Sequence, residues 1–369
     1  MKIMLSAGGT GGHFYPALAV SRQLLKDSRV RLLFIGETGG FGEHVLRTNK
    51  IPFKGIFVKK LRRGNVLTYP GFLVSAIISC VQSLILILQF RPDVVVGMGG
   101  YVSGPVLIIA AVLGIPTLIH EQNTVAGLTN RILGRFVKKA GITFDSSAVY
   151  FPAGKVELTG NPVREEVLAA KKETSMVKFG LNPDKKVLLV FGGSRGARKI
   201  NIAIVNALKF LKTSDLQVLH VTGRDDYELA RELFAANDCQ GSDYRAYPYV
   251  ENMWDALACA DLVVARAGAT TIAEITAMGI AAILIPYPYA TDNHQEKNAR
   301  MLEKDGAAKI IPDAELDPQL LAREILLLIK DPQTLDAIEA KSRLLGRRDA
   351  AVKIAGIIYG LAGQKGMPL

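Results

Sequence analysis

The chain has 369 residues, 49% hydrophobic and 21% charged, with a formal net charge of +11. That length exceeds one ordinary core and makes two domains the expectation, and the apolar content excludes a disordered chain. Three widely spaced cysteines (Cys80, Cys239 and Cys259) make neither a disulfide framework nor a metal knuckle, which fits a reducing cytoplasm.

The first apolar run is only a predicted strand, Ile3–Ser6, shorter than the roughly 7–15 residues of a secretory leader, so no such leader is expected. It runs into Ala7-Gly8-Gly9-Thr10-Gly11-Gly12-His13. Glycines there let backbone N–H groups approach an anionic ligand at a helix mouth, and histidine titrates near neutrality. His13 reads either as a base or as a helix-capping residue. The turn lacks the G-x-G-x-x-G spacing, and Glu37 is the only acid near the end of the next predicted strand, Leu32–Ile35, which argues against NAD.

Residues 1–90 hold twelve Lys or Arg against three acids (Asp27, Glu37, Glu43), densest at Lys59, Lys60, Arg62 and Arg63. Nineteen uncharged residues follow, Phe72–Phe90, long enough to span a bilayer. On a helical wheel Ser75, Ser79, Gln82, Ser83 and Gln89 fall within an arc of roughly 120°. Arg91-Pro92-Asp93 and the strand Val94–Val96 then return the chain to a sheet, which rules out a spanning helix. Two readings stay open: a helix buried against the sheet, or one that also shows its apolar arc to an anionic membrane surface.

Strand Val94–Val96 leads into a glycine turn (97–104), and strand Thr117–Ile119 into His120-Glu121-Gln122-Asn123. This quartet lacks the paired histidines of a metal helix; it reads as hydrogen-bonding groups for a hydroxyl-rich substrate or as caps of the next helix. A boundary near Gly160-Asn161-Pro162 predicts domains at 1–160 and 161–345, with a tail (346–369) whose helix Ala350–Leu361 ends in the second domain or crosses back to the first.

The second half repeats the alternation, with strands Val187–Phe191, Gln217–Val221, Leu262–Val264 and Ala282–Ile285. The turn Gly192-Gly193-Ser194-Arg195-Gly196-Ala197 carries a hydroxyl and guanidinium suited to a pyrophosphate but lacks the Lys-Ser/Thr ending of a P-loop. Arg266-Ala267-Gly268-Ala269-Thr270-Thr271-Ile272-Ala273-Glu274 is a second such turn, whose glutamate is placed either to accept both hydroxyls of a ribose or as a surface helix residue. A Pro-bounded loop, Tyr287–Gln295, carries further polar groups, and no Asp-x-Asp metal motif occurs. Alternating strands and helices in both halves predict an α/β chain of two doubly wound parallel sheets with ligand loops at the strands' carboxyl ends.

Taken jointly, residues 8–20, 99–104, 120–123, 160–164, 191–197, 266–274 and 292–299 resemble, in order and over almost the full length, one family. It is the lipid-II-forming N-acetylglucosaminyltransferases of bacterial peptidoglycan synthesis, in glycosyltransferase family 28. The resemblance implies a GT-B fold, two Rossmann-like domains facing across a cleft, and inverting transfer of GlcNAc from UDP-GlcNAc to the C4 hydroxyl of the MurNAc unit of lipid I. By similarity Thr10, Gly11, Gly12, Asn123 and Arg164 contact the donor from the first domain. Ser194, Val250, Arg266, Ala269, Thr270, Thr271, Ile272, Ala273, Glu274 and Gln295 hold it from the second, with Glu274 on the ribose and the Val250 backbone on the uracil. His13 is the implied base. Arg195 departs from the glutamine common in the family's turn. The implied setting is the cytoplasmic face of the cell membrane, with an anionic lipid surface, an undecaprenyl-linked acceptor and other cell-wall synthesis proteins as partners; no cofactor, metal or nucleic acid is implied. Another GT-B transferase, with a different sugar nucleotide or glycolipid acceptor, is the alternative.

Overall fold

In the computed structural model the chain forms two compact units, Met1–Arg164 with Arg347–Leu369, and Glu165–Gly346. The structure describes residues 1–8, 10–40, 42–59, 69–193, 196–212, 215–237, 239 and 241–363.

The first unit is a parallel sheet of β1 (Lys2–Ser6), β2 (Arg31–Glu37), β3 (Phe53–Ile56), β4 (Val94–Gly97), β5 (Thr117–Glu121), β6 (Lys139–Ile142) and β7 (Val156–Leu158), ordered β3-β2-β1-β4-β5-β6-β7. The connecting helices are α1 (Gly11–Leu25), α2 (Glu43–Thr48), α3 (Tyr69–Phe90), α4 (Ser103–Val112) and α5 (Leu128–Leu133). Successive strand residues point to opposite faces, so Ile3, Leu5, Val94 and Val96 enter one core while Met4 and Val95 enter the other. Burial on both faces is why the central strands read as unbroken apolar runs.

The second unit is built likewise from β8 (Lys186–Phe191), β9 (Leu216–Val221), β10 (Asp243–Tyr247), β11 (Leu262–Ala265), β12 (Ala281–Leu284) and β13 (Lys309–Ile310), all parallel and ordered β10-β9-β8-β11-β12-β13. Its helices are α6 (Glu165–Ala169), α7 (Lys172–Phe179), α8 (Arg198–Leu211), α9 (Tyr227–Ala236), α10 (Met253–Cys259), α11 (Ala269–Met278), α12 (His294–Lys304), α13 (Pro318–Lys330) and α14 (Pro332–Leu345). The last helix, α15 (Ala350–Leu361), belongs to the first unit, where Ile354, Ala355, Ile358 and Tyr359 pack in the same core as Phe14 and Leu18 of α1.

Helix α3 is turned the unusual way round. Its serine stripe, Ser75, Ser79 and Ser83, is 1% exposed and faces the protein, while Leu73, Val74, Ile77, Val81, Ile85 and Leu88 are exposed. Small residues four apart let the helix lie close against its unit, and its polar atoms are used there: Ser75 Oγ accepts from the Lys59 N–H at 2.9 Å and Gln82 Oε1 from that of Phe57 at 2.7 Å. By length and composition Pro70–Phe90 could cross a membrane. Its place as the β3-to-β4 crossover, with β4 hydrogen-bonded to β1, ties both ends to one sheet instead. Of the basic cluster ahead of it, Lys60, Arg62 and Arg63 lie outside the described residues; Lys59 Nζ sits 5.7 Å over the Phe57 ring.

Candidate active site

Strand order reverses between β1 and β4 in the first sheet and between β8 and β11 in the second, and open α/β sheets bind ligands at such points, beyond the carboxyl ends of the strands. In each unit, glycine turns follow the two strands flanking that point.

In the first unit the turns after β1 and β4 touch. A Cβ on Gly100 (φ +80°) would lie 2.3 Å from the carbonyl oxygen of Gly8, and one on Gly8 would lie 2.4 Å from Val102 Cγ2, so no other residue fits either position without displacement. Gly9 lies outside the described residues. Thr10 is the extended residue before α1, with no side-chain cap bond, and Gly11 and Gly12 open the helix, so its N-terminus is lined by backbone. His13, one residue further, reaches across to β5: its Nδ1 lies 2.9 Å from Gln122 Oε1.

Behind that contact stands a buried chain. Gln122 Nε2 donates to the Met98 carbonyl at 2.8 Å and lies 3.1 Å from His120 Nδ1, whose Nε2 lies 2.9 Å from the Gly160 carbonyl. Burial pushes His120 down to a pKa of about 4. Glu121, 2% exposed, spends one oxygen on the Asn123 N–H (3.0 Å) and the other on the Gly127 N–H (3.0 Å) and Asn130 Nδ2 (2.9 Å). Three of the four residues at 120–123 are thus turned inward. The reading of the whole quartet as ligand-facing is corrected: only Asn123 is partly exposed, on a loop that Glu121 holds in shape. Arg164 stacks its guanidinium 4.4 Å from the centre of the Tyr15 ring on α1.

In the second unit Gly193 (φ +94°) and Gly196 (φ +75°) turn the chain from β8 into α8. A Cβ on Gly196 would lie 2.2 Å from the Thr222 carbonyl oxygen, so the turn sits tight against the end of β9. Ser194 and Arg195 lie outside the described residues. After β11, Gly268 precedes α11 without a side-chain cap bond, and neither α8 nor α11 has an acid in its first turn. Neither helix thus places an acid of its own first turn at the positive end of its dipole. Ala269, Thr270, Thr271, Ile272 and Ala273 form the opening of α11, and Glu274 follows, 8% exposed.

Arg266 is committed within the protein. Its Nη1 lies 2.5 Å from Asp313 Oδ1 and donates to the carbonyls of Ile285 and Pro286 at 3.1 Å each. The residue pins the loop beyond β12, whose Tyr287 N–H donates at 3.0 Å to Oε1 of Gln295, in the first turn of α12. Val250 lies half-buried between β10 and α10.

The first unit thus gathers Thr10, Gly11, Gly12, His13 and the loop of Asn123 about one switch point. The second gathers the α8 and α11 openings with the loop after β12 and Gln295 at the start of α12 about its own, and sets Val250 apart beyond the end of an edge strand. Gln122 was read from sequence only as one of the quartet at 120–123 and Gly99 only as part of the glycine turn at 97–104; the contact of both with His13 was not. The available signal was position: 120–122 close a central strand, where side chains are enclosed on both faces.

Residues 3–142 match the glycosyltransferase family 28 N-terminal domain and residues 187–354 the glycosyltransferase family 28 C-terminal domain. The UDP-N-acetylglucosamine--N-acetylmuramyl-(pentapeptide) pyrophosphoryl-undecaprenol N-acetylglucosamine transferase of Thermoanaerobacter sp. (strain X514) is 42% identical, covering 97% of this chain and 99% of its own. The protein of the same name from Bacillus subtilis (strain 168) is 41% identical over 97% and 99%. Among solved structures, MurG of Acinetobacter baumannii superposes with a TM-score of 0.78 at 31% identity, covering 97% of this chain and 99% of that one. UDP-GlcNAc 2-epimerase of Neisseria meningitidis, TM-score 0.72 at 13% identity over 98% and 100%, shares the fold alone.

Proposed function

The chain belongs to glycosyltransferase family 28, and we infer that it transfers N-acetylglucosamine from UDP-N-acetylglucosamine to the C4 hydroxyl of the N-acetylmuramyl unit of pyrophosphoryl-undecaprenol-linked lipid I, giving lipid II. It has a GT-B fold. Identity above 40% to relatives of that name, sustained over nearly the whole chain, carries this reading.

We assign the steps as follows. The acceptor hydroxyl attacks the anomeric carbon from the face opposite UDP, so one C–O bond forms as the bond to the diphosphate breaks, with inversion. His13 takes the hydroxyl's proton, within reach of the α1 N-terminus formed by Thr10, Gly11 and Gly12. UDP leaves with the electron pair. Its diphosphate is stabilised by the openings of α8 (with Ser194 in the turn) and α11 (Ala269, Thr270, Thr271, Ile272 and Ala273). Glu274 accepts from the ribose, the Val250 backbone meets the uracil, and Gln295, Asn123 and Arg164 contact the sugar and phosphates. Arg266 acts by pinning the loop whose Tyr287 N–H holds Gln295.

The outward apolar face of α3, which follows the basic cluster from Lys59 to Arg63 in sequence, docks the first unit on an anionic bilayer without α3 spanning it. The cytoplasmic face is the side on which a sugar nucleotide is available. Cell-wall synthesis proteins at the same surface are the further partners of this reading.

A donor panel tests the assignment. With a lipid I analogue as acceptor, UDP-GlcNAc should support UDP release at least about 100-fold faster than UDP-GalNAc or UDP-glucose, the discrimination of a site that hydrogen-bonds both the C4 hydroxyl and the 2-acetamido group. NADH should not bind. Equal use of UDP-glucose would assign the chain to another GT-B transferase.

A further inference from the structure

We propose that Gln122, backed by His120, is a positioning residue that locks His13 in the tautomer protonated on Nδ1 and so presents Nε2 as the base. The proposal rests on the reading of His13 as proton acceptor. A carbonyl oxygen only accepts, so the 2.9 Å contact to Gly160 O places the proton of His120 on Nε2. His120 is wholly enclosed, and burial holds it neutral at physiological pH, which makes its Nδ1 an acceptor.

Gln122 Nε2 therefore faces two acceptors, Met98 O and His120 Nδ1, and both amide protons are used. That fixes which way the amide points. Its Oε1 is the atom 2.9 Å from His13 Nδ1, and an amide oxygen only accepts, so Nδ1 carries the proton. In a neutral imidazole the lone pair then sits on Nε2.

The backbone is shaped for this pair. Gly99 stands at φ +94°, and a Cβ there would lie 2.6 Å from His13 Nδ1 and 3.3 Å from Gln122 Oε1. When Nε2 takes the acceptor's proton, the Nδ1–H bond to Gln122 is kept, and the proton passes on to water without any rearrangement behind it. A neutral amide orients the ring without placing a full negative charge beside it.

The test is long-range proton–nitrogen correlation on the whole enzyme with nitrogen-15-labelled histidine at pH 8, the His13 signals among the five histidines being assigned by their loss in His13→Asn. The expected spectrum shows His13 protonated on Nδ1 and His120 on Nε2. Gln122→Met should leave His13 exchanging between tautomers and lower kcat roughly 10- to 100-fold, the scale for a misplaced reacting group, with KM for the donor unchanged. Wild-type His13 protonated on Nε2 overturns the proposal without recourse to any variant. So does wild-type kcat in Gln122→Met alongside an impaired His13→Ala. Full kcat in His13→Ala would instead overturn the base reading itself, and this proposal with it.

Discussion

At the scale of single residues, His13, proposed as the base, and the glycine beside it make separable predictions. His13→Ala should lower kcat by about 10²–10⁴-fold, the usual contribution of a positioned general base, while the affinity for UDP-GlcNAc measured by calorimetry stays near wild type. A raised donor dissociation constant with kcat intact would reassign His13 to binding. Gly99→Ala puts a methyl where His13 Nδ1 and Gln122 Oε1 now meet, at a backbone angle that side chains rarely adopt. Its kcat should fall at least about tenfold, since displacing a reacting group by a fraction of an ångström is costly. Wild-type turnover would show that the clearance at Gly99 is not needed. The opening residues of the chain were legible because glycine and histidine on one turn have few uses. The role of Gln122 was not, because its place at the end of a central strand signals enclosure but not which partner its amide meets.

Among the elements, α3 carries the clearest contrast between pattern and placement. Its polar arc was readable from spacing, but spacing left open whether the apolar arc lay buried against the sheet or also faced outward. In the structure Ser75, Ser79 and Ser83 face the protein, and the large aliphatic residues face out. Polar atoms on the inner face are tolerable because backbone groups or neighbours take them up, as Ser83 Oγ does by donating to the Ser79 carbonyl. The exposed apolar face is the one proposed to meet the membrane. Replacing Ile77 and Val81 together with Asn should reduce sedimentation with phosphatidylglycerol vesicles on the order of tenfold, without loss of activity on a short-chain, water-soluble acceptor. Unchanged sedimentation would remove α3 from the membrane contact. The eight predicted strands all form, because each is an apolar run buried on both faces. Five others were not predicted: β3, β7, β10 and β13 lie at sheet margins, and β6 is only Lys-Ala-Gly-Ile. Margins are half-exposed, so their residues are mixed and no run betrays them; β10 is Asp-Tyr-Arg-Ala-Tyr, partly exposed throughout.

For the molecule as a whole, each unit buries one neutral histidine in a hydrogen-bonded setting, and this links stability to pH. In the second unit His220 lies 2.8 Å from the Tyr244 hydroxyl and 2.9 Å from Asn201 Oδ1. Burial pushes its pKa down to about 3, as it pushes that of His120 to about 4, against 6.5 for the free side chain. Between those values and 6.5 the unfolded chain binds more protons than the folded one, so stability rises with pH through that window, is complete above it, and is lost as pH falls. Thermal melting should therefore drop steadily from pH 7 to pH 5, with uptake of close to one proton by each of the two histidines on unfolding at about pH 5.5. A melting temperature that holds or rises over that range would contradict neutral burial.

The decisive measurement is product formation from the whole enzyme. Incubated with UDP-GlcNAc and a lipid I analogue, the chain should release UDP only when the acceptor is present and yield a disaccharide joined to the C4 oxygen of the muramyl unit with inverted, β anomeric configuration. Release of UDP without an acceptor-dependent disaccharide, or a product with retained configuration, would contradict the account.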